Sequence, residues 1–137
     1  MALFIRKAVL LTVLLLFTLT LCDARKRRYI RVKNELQANG DLSLTVHCKS
    51  KNHDIGVKVL APHGSFEFSF KPNIWGTTLY YCSFSWRGQL KWFDVYRDKR
   101  DKNLDSKVQW SILPEGACRT TWDGESFSEC IEWNKDN

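Results

Sequence analysis

Long apolar runs are nearly absent from this sequence. The one extended stretch without a charge, residues 8–21, is 14 residues long. A helix that spans a bilayer needs about 20 apolar residues, so a membrane anchor is disfavoured. Arg6 and Lys7 precede the stretch, and Cys22-Asp23-Ala24 follows it. A positive start, a short apolar centre and small residues at the end make a secretory leader. Cleavage is expected after Ala24. Residues 1–24 are then the leader, and residues 25–137 form one domain of ordinary size, secreted and extracellular. No KDEL-like or CaaX ending argues for retention or lipidation.

Motifs of chemistry are missing too. There is no Asn-x-Ser/Thr sequon, so N-glycosylation is not expected. There is no Cys-x-x-Cys and no Cys/His pair at finger spacing, which argues against a metal site. No Gly-x-Ser-x-Gly elbow supports a hydrolase of that type. No cofactor is expected. No helix of useful length shows a 3.6-residue stripe after the leader, and no repeat is visible.

The chain does have cysteines, aromatics and a period of two. Cys22 leaves with the leader, and Cys48, Cys82, Cys118 and Cys130 remain. An even count in an oxidising compartment reads as two disulfides with three possible connectivities. Cys48–Cys82 with Cys118–Cys130 is preferred; in the chain-entropy model such loops contribute roughly 3.8 and 2.9 kcal/mol. All six Trp lie after the leader, and large rings bury much area per residue.

Leu42, Leu44, Val46 and Cys48 alternate with polar neighbours, as in a half-buried strand with Cys48 inward. Ile55, Val57 and Val59 alternate next, then Phe66, Phe68 and Phe70. Tyr80, Cys82, Phe84 and Trp86 share a face of a longer strand over residues 77–86. Residues 90–96 follow a short turn at Arg87-Gly88-Gln89, so the two read as a hairpin. Tyr29 to Val32, the Val108-Trp110-Ile112 alternation and residues 127–133 complete the set. Turn signals separate them at Asn39-Gly40-Asp41, Pro62-His63-Gly64, Pro72-Asn73, Pro114-Glu115-Gly116 and Asp123-Gly124. The pattern predicts an all-β fold: a small antiparallel, disulfide-stapled sandwich of about seven or eight strands. Tyr80, two residues before Cys82, suggests a tyrosine corner. Too little chain separates Cys48 from Cys82 for an immunoglobulin domain, and Trp75 lies near the second cysteine, so another topology is expected.

The net charge is +6, and +5 once Arg6, Lys7 and Asp23 are gone. Arg25-Lys26-Arg27-Arg28 is a basic arm, read chiefly as a solvated, frayed terminus. It also suits an anionic surface such as acidic cell-wall polysaccharide or lipid headgroups. Nucleic acid is a poor partner for a secreted chain. His47, His53 and His63 are the catalytic candidates, but no motif surrounds them, and they read as exposed side chains. Arg97, Asp98, Lys99, Arg100, Asp101, Lys102, Asn103 and Lys107 belong to a stretch of mixed charge. It reads as a hydrated connection or as an exposed recognition loop on a rigid scaffold.

Val46-His47-Cys48-Lys49-Ser50-Lys51 followed by Asp54-Ile55-Gly56 resembles the opening of the plant self-incompatibility protein family, the S-protein homologues. The Phe66–Phe70 run with Trp75-Gly76-Thr77-Thr78-Leu79-Tyr80-Tyr81-Cys82 is similar to its central block. Phe93-Asp94-Val95-Tyr96 with Arg100-Asp101, then Trp110-Ser111-Ile112, Gly116-Ala117-Cys118 and Cys130-Ile131-Glu132-Trp133-Asn134, resemble its later blocks. Many members carry two cysteines just before the block that contains Trp110; here two lie after it. If that last pair closes locally, the resemblance supports Cys48–Cys82.

The resemblance implies a secreted, non-catalytic ligand for a cell-surface receptor protein, acting in cell–cell recognition such as that of pollen and pistil. Such a protein is expected to be a monomer without stable membrane insertion. The matching recognition loops are Lys51, Asn52, His53 and Asp54, and residues 97–107. The competing reading is a carbohydrate- or membrane-binding defence protein that uses the basic arm and exposed aromatics such as Trp75 or Trp122.

Overall fold

The computed structural model describes residues 1–24, 26–37 and 42–133, and the side chains of all of these but 18–24. Arg25, the Asn39-Gly40-Asp41 turn, Asn134 and the side chains of Cys22-Asp23-Ala24 lie outside the described residues. Ala2–Ala24 form a helix, α1. The described side chains of α1 are exposed, and none belongs to the core. Among the described residues, no helix is long and apolar enough to cross a membrane.

Nine strands follow among the described residues: β1 (Arg28–Asn34), β2 (Leu44–Lys49), β3 (Asp54–Leu60), β4 (Ser65–Phe70), β5 (Leu79–Trp86), β6 (Gln89–Arg97), β7 (Lys107–Ile112), β8 (Gly116–Thr120) and β9 (Phe127–Glu132). A short helix, α2 (Asp98–Asp101), sits between β6 and β7. The first sheet has the order β4-β1-β7-β8-β9 and the second β3-β2-β5-β6. Every pairing is antiparallel except β1 with β7, which run parallel with Tyr29 opposite Lys107.

Alternation decides which side chains meet. Successive residues on a strand point to opposite faces. Ile30, Val32, Trp110, Ile112 and Ala117 of the first sheet therefore join Val46, Cys48, Tyr80, Cys82, Phe84 and Val95 of the second in one core. Burying each large side chain stabilises by roughly 1.5–3 kcal/mol. Phe93 meets Trp110 edge-on, with ring centres 4.7 Å apart, an arrangement that adds to the area term. The Trp110 indole N–H donates to the Val95 carbonyl at 2.8 Å. That bond ties the sheets together and satisfies a buried donor.

One buried polar residue also joins the layers. Asn34, at the end of β1, donates through Nδ2 to the carbonyls of Leu42, Leu60 and Ala61. Its Oδ1 accepts from the Leu36 N–H. The Ala61 carbonyl also accepts the Gly64 N–H at 2.8 Å, and Asn34 adds bonds to it and to the two other carbonyls where the chain turns away from the sheet.

The preferred disulfide pairing is the one observed. Cys48 and Cys82 are direct partners across β2 and β5, fully buried in the core. Cys118 and Cys130 are direct partners across β8 and β9, with Cys130 exposed on the outer face. The expected hairpin is β5–β6. Its two-residue turn places Arg87 at φ +43° and Gly88 at φ +74°, the two positive values of a type I′ turn.

The sandwich has one strand more than the upper expectation, and β8 is the strand without a sequence signal. It begins at a glycine and directs only Ala117 into the core. Gly116 is required there, because a Cβ would overlap the Ile131 carbonyl oxygen. The expected strand over residues 77–86 begins at Leu79 instead. Thr77 and Thr78 use their hydroxyls to hold the preceding loop.

Candidate recognition surface

Strand direction gathers the loops. β2 runs toward the turn at residues 51–53, β5 starts beside that turn, and β6 returns to it. The connections 51–53, 71–78 and 98–106 therefore share one end of the sandwich. Arg28, where β1 starts, reaches the carbonyls of Lys102 and Leu104. Arg119 of β8 reaches Asp101 at 3.8 Å, which brings residues 121–126 to the same end. The two candidate loops, distant in sequence, are thus neighbours by topology.

Lys51, Asn52, His53 and Asp54 are all exposed. The turn is held by the Ser50 N–H, which donates to the His53 carbonyl at 2.7 Å. Asp54 Oδ1 lies 2.7 Å from His47 Nε2 and accepts the Gly56 N–H at 2.8 Å. The hydrogen bond from His47, then that from Gly56, holds the Asp54 carboxyl below the ordinary aspartate range. His53 Nδ1 approaches the Tyr80 hydroxyl at 3.4 Å.

Residues 97–107 do not form one exposed loop. Arg97 ends β6 and pairs with Asp94 at 3.4 Å. Asp101 is only 4% exposed. Its carboxylate receives two bonds from Arg100, at 2.7 and 2.8 Å, and one from the Arg97 N–H. Arg100 also donates to the Asp94 carbonyl and lies over the rings of Phe93 and Trp110. The expectation of exposure is corrected at these two residues. A buried carboxylate is tolerable only when paired and hydrogen-bonded, and the neighbouring guanidinium meets that need. Asp98 accepts the Tyr96 hydroxyl at 2.9 Å. Burial first, and then this partner, push the Tyr96 phenol well above its ordinary range. Lys99, Lys102, Asn103 and Lys107 face solvent.

The basic arm also departs from expectation. Arg28 is in β1 rather than frayed, since its guanidinium binds the carbonyls of residues 102–105. Lys26 and Arg27 remain exposed. An open cleft of about 460 Å³ lies between residues 104–108 and 119–122. Trp122 on its wall is half-buried, its ring 3.8 Å from the Arg31 guanidinium. Trp75 is 79% exposed on the 71–78 loop.

The histidines take different partners. His47 faces Asp54 and His53 faces Tyr80, whereas His63 lies 3.3 Å from Glu35 in the 61–64 turn at the opposite end. The separation of His63 removes it from any site with the other two.

Residues 29–133 match the family model for plant self-incompatibility protein S1. S-protein homolog 3 of Arabidopsis thaliana is 42% identical over 113 residues, covering 78% of this chain and 73% of that protein. S-protein homolog 18 of the same plant is 38% identical over 118 residues, covering 85% and 84%. A solved self-incompatibility protein homologue shares the fold with a TM-score of 0.55 and 21% identity, covering 81% of this chain and 97% of its own. That structure is described as one of a widespread family of small, highly stable, secreted proteins from plants. With two sheets, two disulfides and a family match from the first strand to the end of the last, the chain belongs to the plant self-incompatibility protein S1 family.

Proposed function

We propose that this protein is a secreted, non-catalytic ligand of the self-incompatibility type that binds a cell-surface receptor protein through the loop end of its sandwich. In this reading residues 1–24 are the leader, and the domain that follows acts as a monomer. The observation that carries the reading is the convergence of the two loops on one end. Each loop is held by its own internal bonds, so Asn52, His53, Lys102 and Asn103 are presented in fixed positions. Pre-organised loops lose little freedom on binding.

The test substitutes uncharged contact residues and leaves the Arg100–Asp101 support intact. Asn52→Ala, His53→Ala and Asn103→Ala are combined in one chain, and binding to receptor-bearing plant cells is measured. A loss of about tenfold or more is expected if these side chains lie in the contact. Unchanged binding would sink the assignment of the loops.

A further inference from the structure

The connection between β4 and β5 is a rigid loop that displays apolar side chains to water. Asn73 organises it. Its Oδ1 accepts the N–H groups of Trp75 and Thr77, each at 3.1 Å. Its Nδ2 donates to Thr77 Oγ1 at 2.9 Å, and its own N–H donates to Thr78 Oγ1 at 2.8 Å. Gly76 completes the turn at φ +72°, where a Cβ would stand 3.2 Å from the Asp98 carboxylate. On this frame Ile74 is 52% exposed and Trp75 is 79% exposed. Tryptophan is highly buried on average, so a frame that holds one outward calls for a partner.

The charges of the same end indicate which partner. Exposed on it are Lys26, Lys51, Lys71, Lys99 and Lys102, against the exposed acidic Asp54 and Asp105. Its arginines are engaged by groups of the protein itself, the exposed Arg27 by the Ser69 hydroxyl and Arg28, Arg97 and Arg100 by carbonyls or carboxylates. Protein interfaces enrich arginine and deplete lysine. Lysine instead suits an anionic bilayer, where its stem lies along apolar material and its ammonium meets the headgroups. Tryptophan partitions to that same headgroup level. We infer that the Ile74–Trp75 tip and its surrounding lysines dock the protein reversibly on an anionic lipid surface, with Trp75 in the headgroup layer. The inference goes beyond receptor binding and is independent of it.

The test uses the chain as secreted by cultured eukaryotic cells, its N-terminus and both disulfides verified by mass spectrometry. It is co-sedimented with phosphatidylcholine vesicles, with and without phosphatidylserine. Adsorption is expected only with phosphatidylserine, and high salt should abolish it. Trp75→Ala with Ile74→Ser should weaken it about tenfold or more. Lys71→Glu with Lys99→Glu should do the same at unchanged Trp75. These positions are exposed, so the melting temperature should stay close to that of the parent and exclude misfolding. The vesicles contain no protein, so the Asn52, His53 and Asn103 variant should adsorb like the parent whatever its binding to cells. The inference is overturned if the parent fails to adsorb at low salt, or if the Trp75→Ala, Ile74→Ser variant adsorbs as well as the parent. It is overturned equally if adsorption to plant membranes disappears once their proteins are digested, because the tip's partner is then a protein.

Discussion

At the scale of single residues, buried polar groups carry the specificity of the fold. Asn34 bonds three carbonyls and one N–H, and of the three carbonyls that of Ala61 also accepts the Gly64 N–H. Asn34→Ala should cost about 2–3 kcal/mol, because each orphaned buried group costs roughly 1–3 kcal/mol. Urea unfolding followed by tryptophan fluorescence measures it. Tyr96 gives a dependence on pH. The folded protein holds the phenolic proton more tightly than the unfolded chain does, through burial and the bond to Asp98. Its contribution is therefore full below about pH 10 and falls as the pH rises above that value. Tyr96→Phe should have a lower melting temperature at neutral pH and a flatter decline in alkali. Neither residue was legible beforehand. Asn34 stands on a core-facing position of a short strand, and sequence alone does not reveal the three carbonyls around it. Arg100 and Asp101 read as solvated charges because adjacent opposite charges usually are; only the Phe93 and Trp110 rings beneath them make the pair a buried support.

At the scale of elements, alternation was the dependable signal. It placed Cys48, Phe84 and Trp110 inward correctly because β2, β5 and β7 carry apolar residues on their buried faces, but it misled at β3, where Val57 and Val59 alternate with Lys58 yet are 59% and 68% exposed. It failed at β8, where a glycine and an alanine take the place of large side chains, and it could not reveal that β1 and β7 run parallel. The β5–β6 turn shows local chemistry that the strands override. Arg87 occupies a left-handed conformation that Asn or Gly adopts more readily. Arg87→Asn should stabilise the protein by about 0.5–1 kcal/mol, read as a rise in melting temperature. The 71–78 loop was half legible. Trp75 was named as an exposed aromatic, but the role of Asn73 as its frame depends on bonds to residues two to five positions away.

For the whole molecule, the two disulfides stand in different surroundings. Cys48–Cys82 closes the longer loop, with a separation of 34 residues, inside the core. Cys118–Cys130 closes 12 residues on an outer face. Replacing the first pair by alanines should cost about 4 kcal/mol from chain entropy, with a further loss from the cavity left behind. Replacing the second by serines should cost about 3 kcal/mol. Urea midpoints of the two double variants give the comparison.

The parallel pairing of β1 with β7 also sets a timetable for synthesis. Arg31 of β1 finds its neighbour Gln109 in β7, 78 residues further along. The β2–β3 and β5–β6 hairpins need only nearby chain, so the second sheet can assemble while the ribosome is still at work. β1 leaves the ribosome first among the strands and can pair with β4 early, but its other edge stays open until β7 emerges. The first strand made thus waits for a late one before it is flanked on both sides. Until then its apolar Ile30 and Val32 are exposed to whatever machinery escorts the nascent chain.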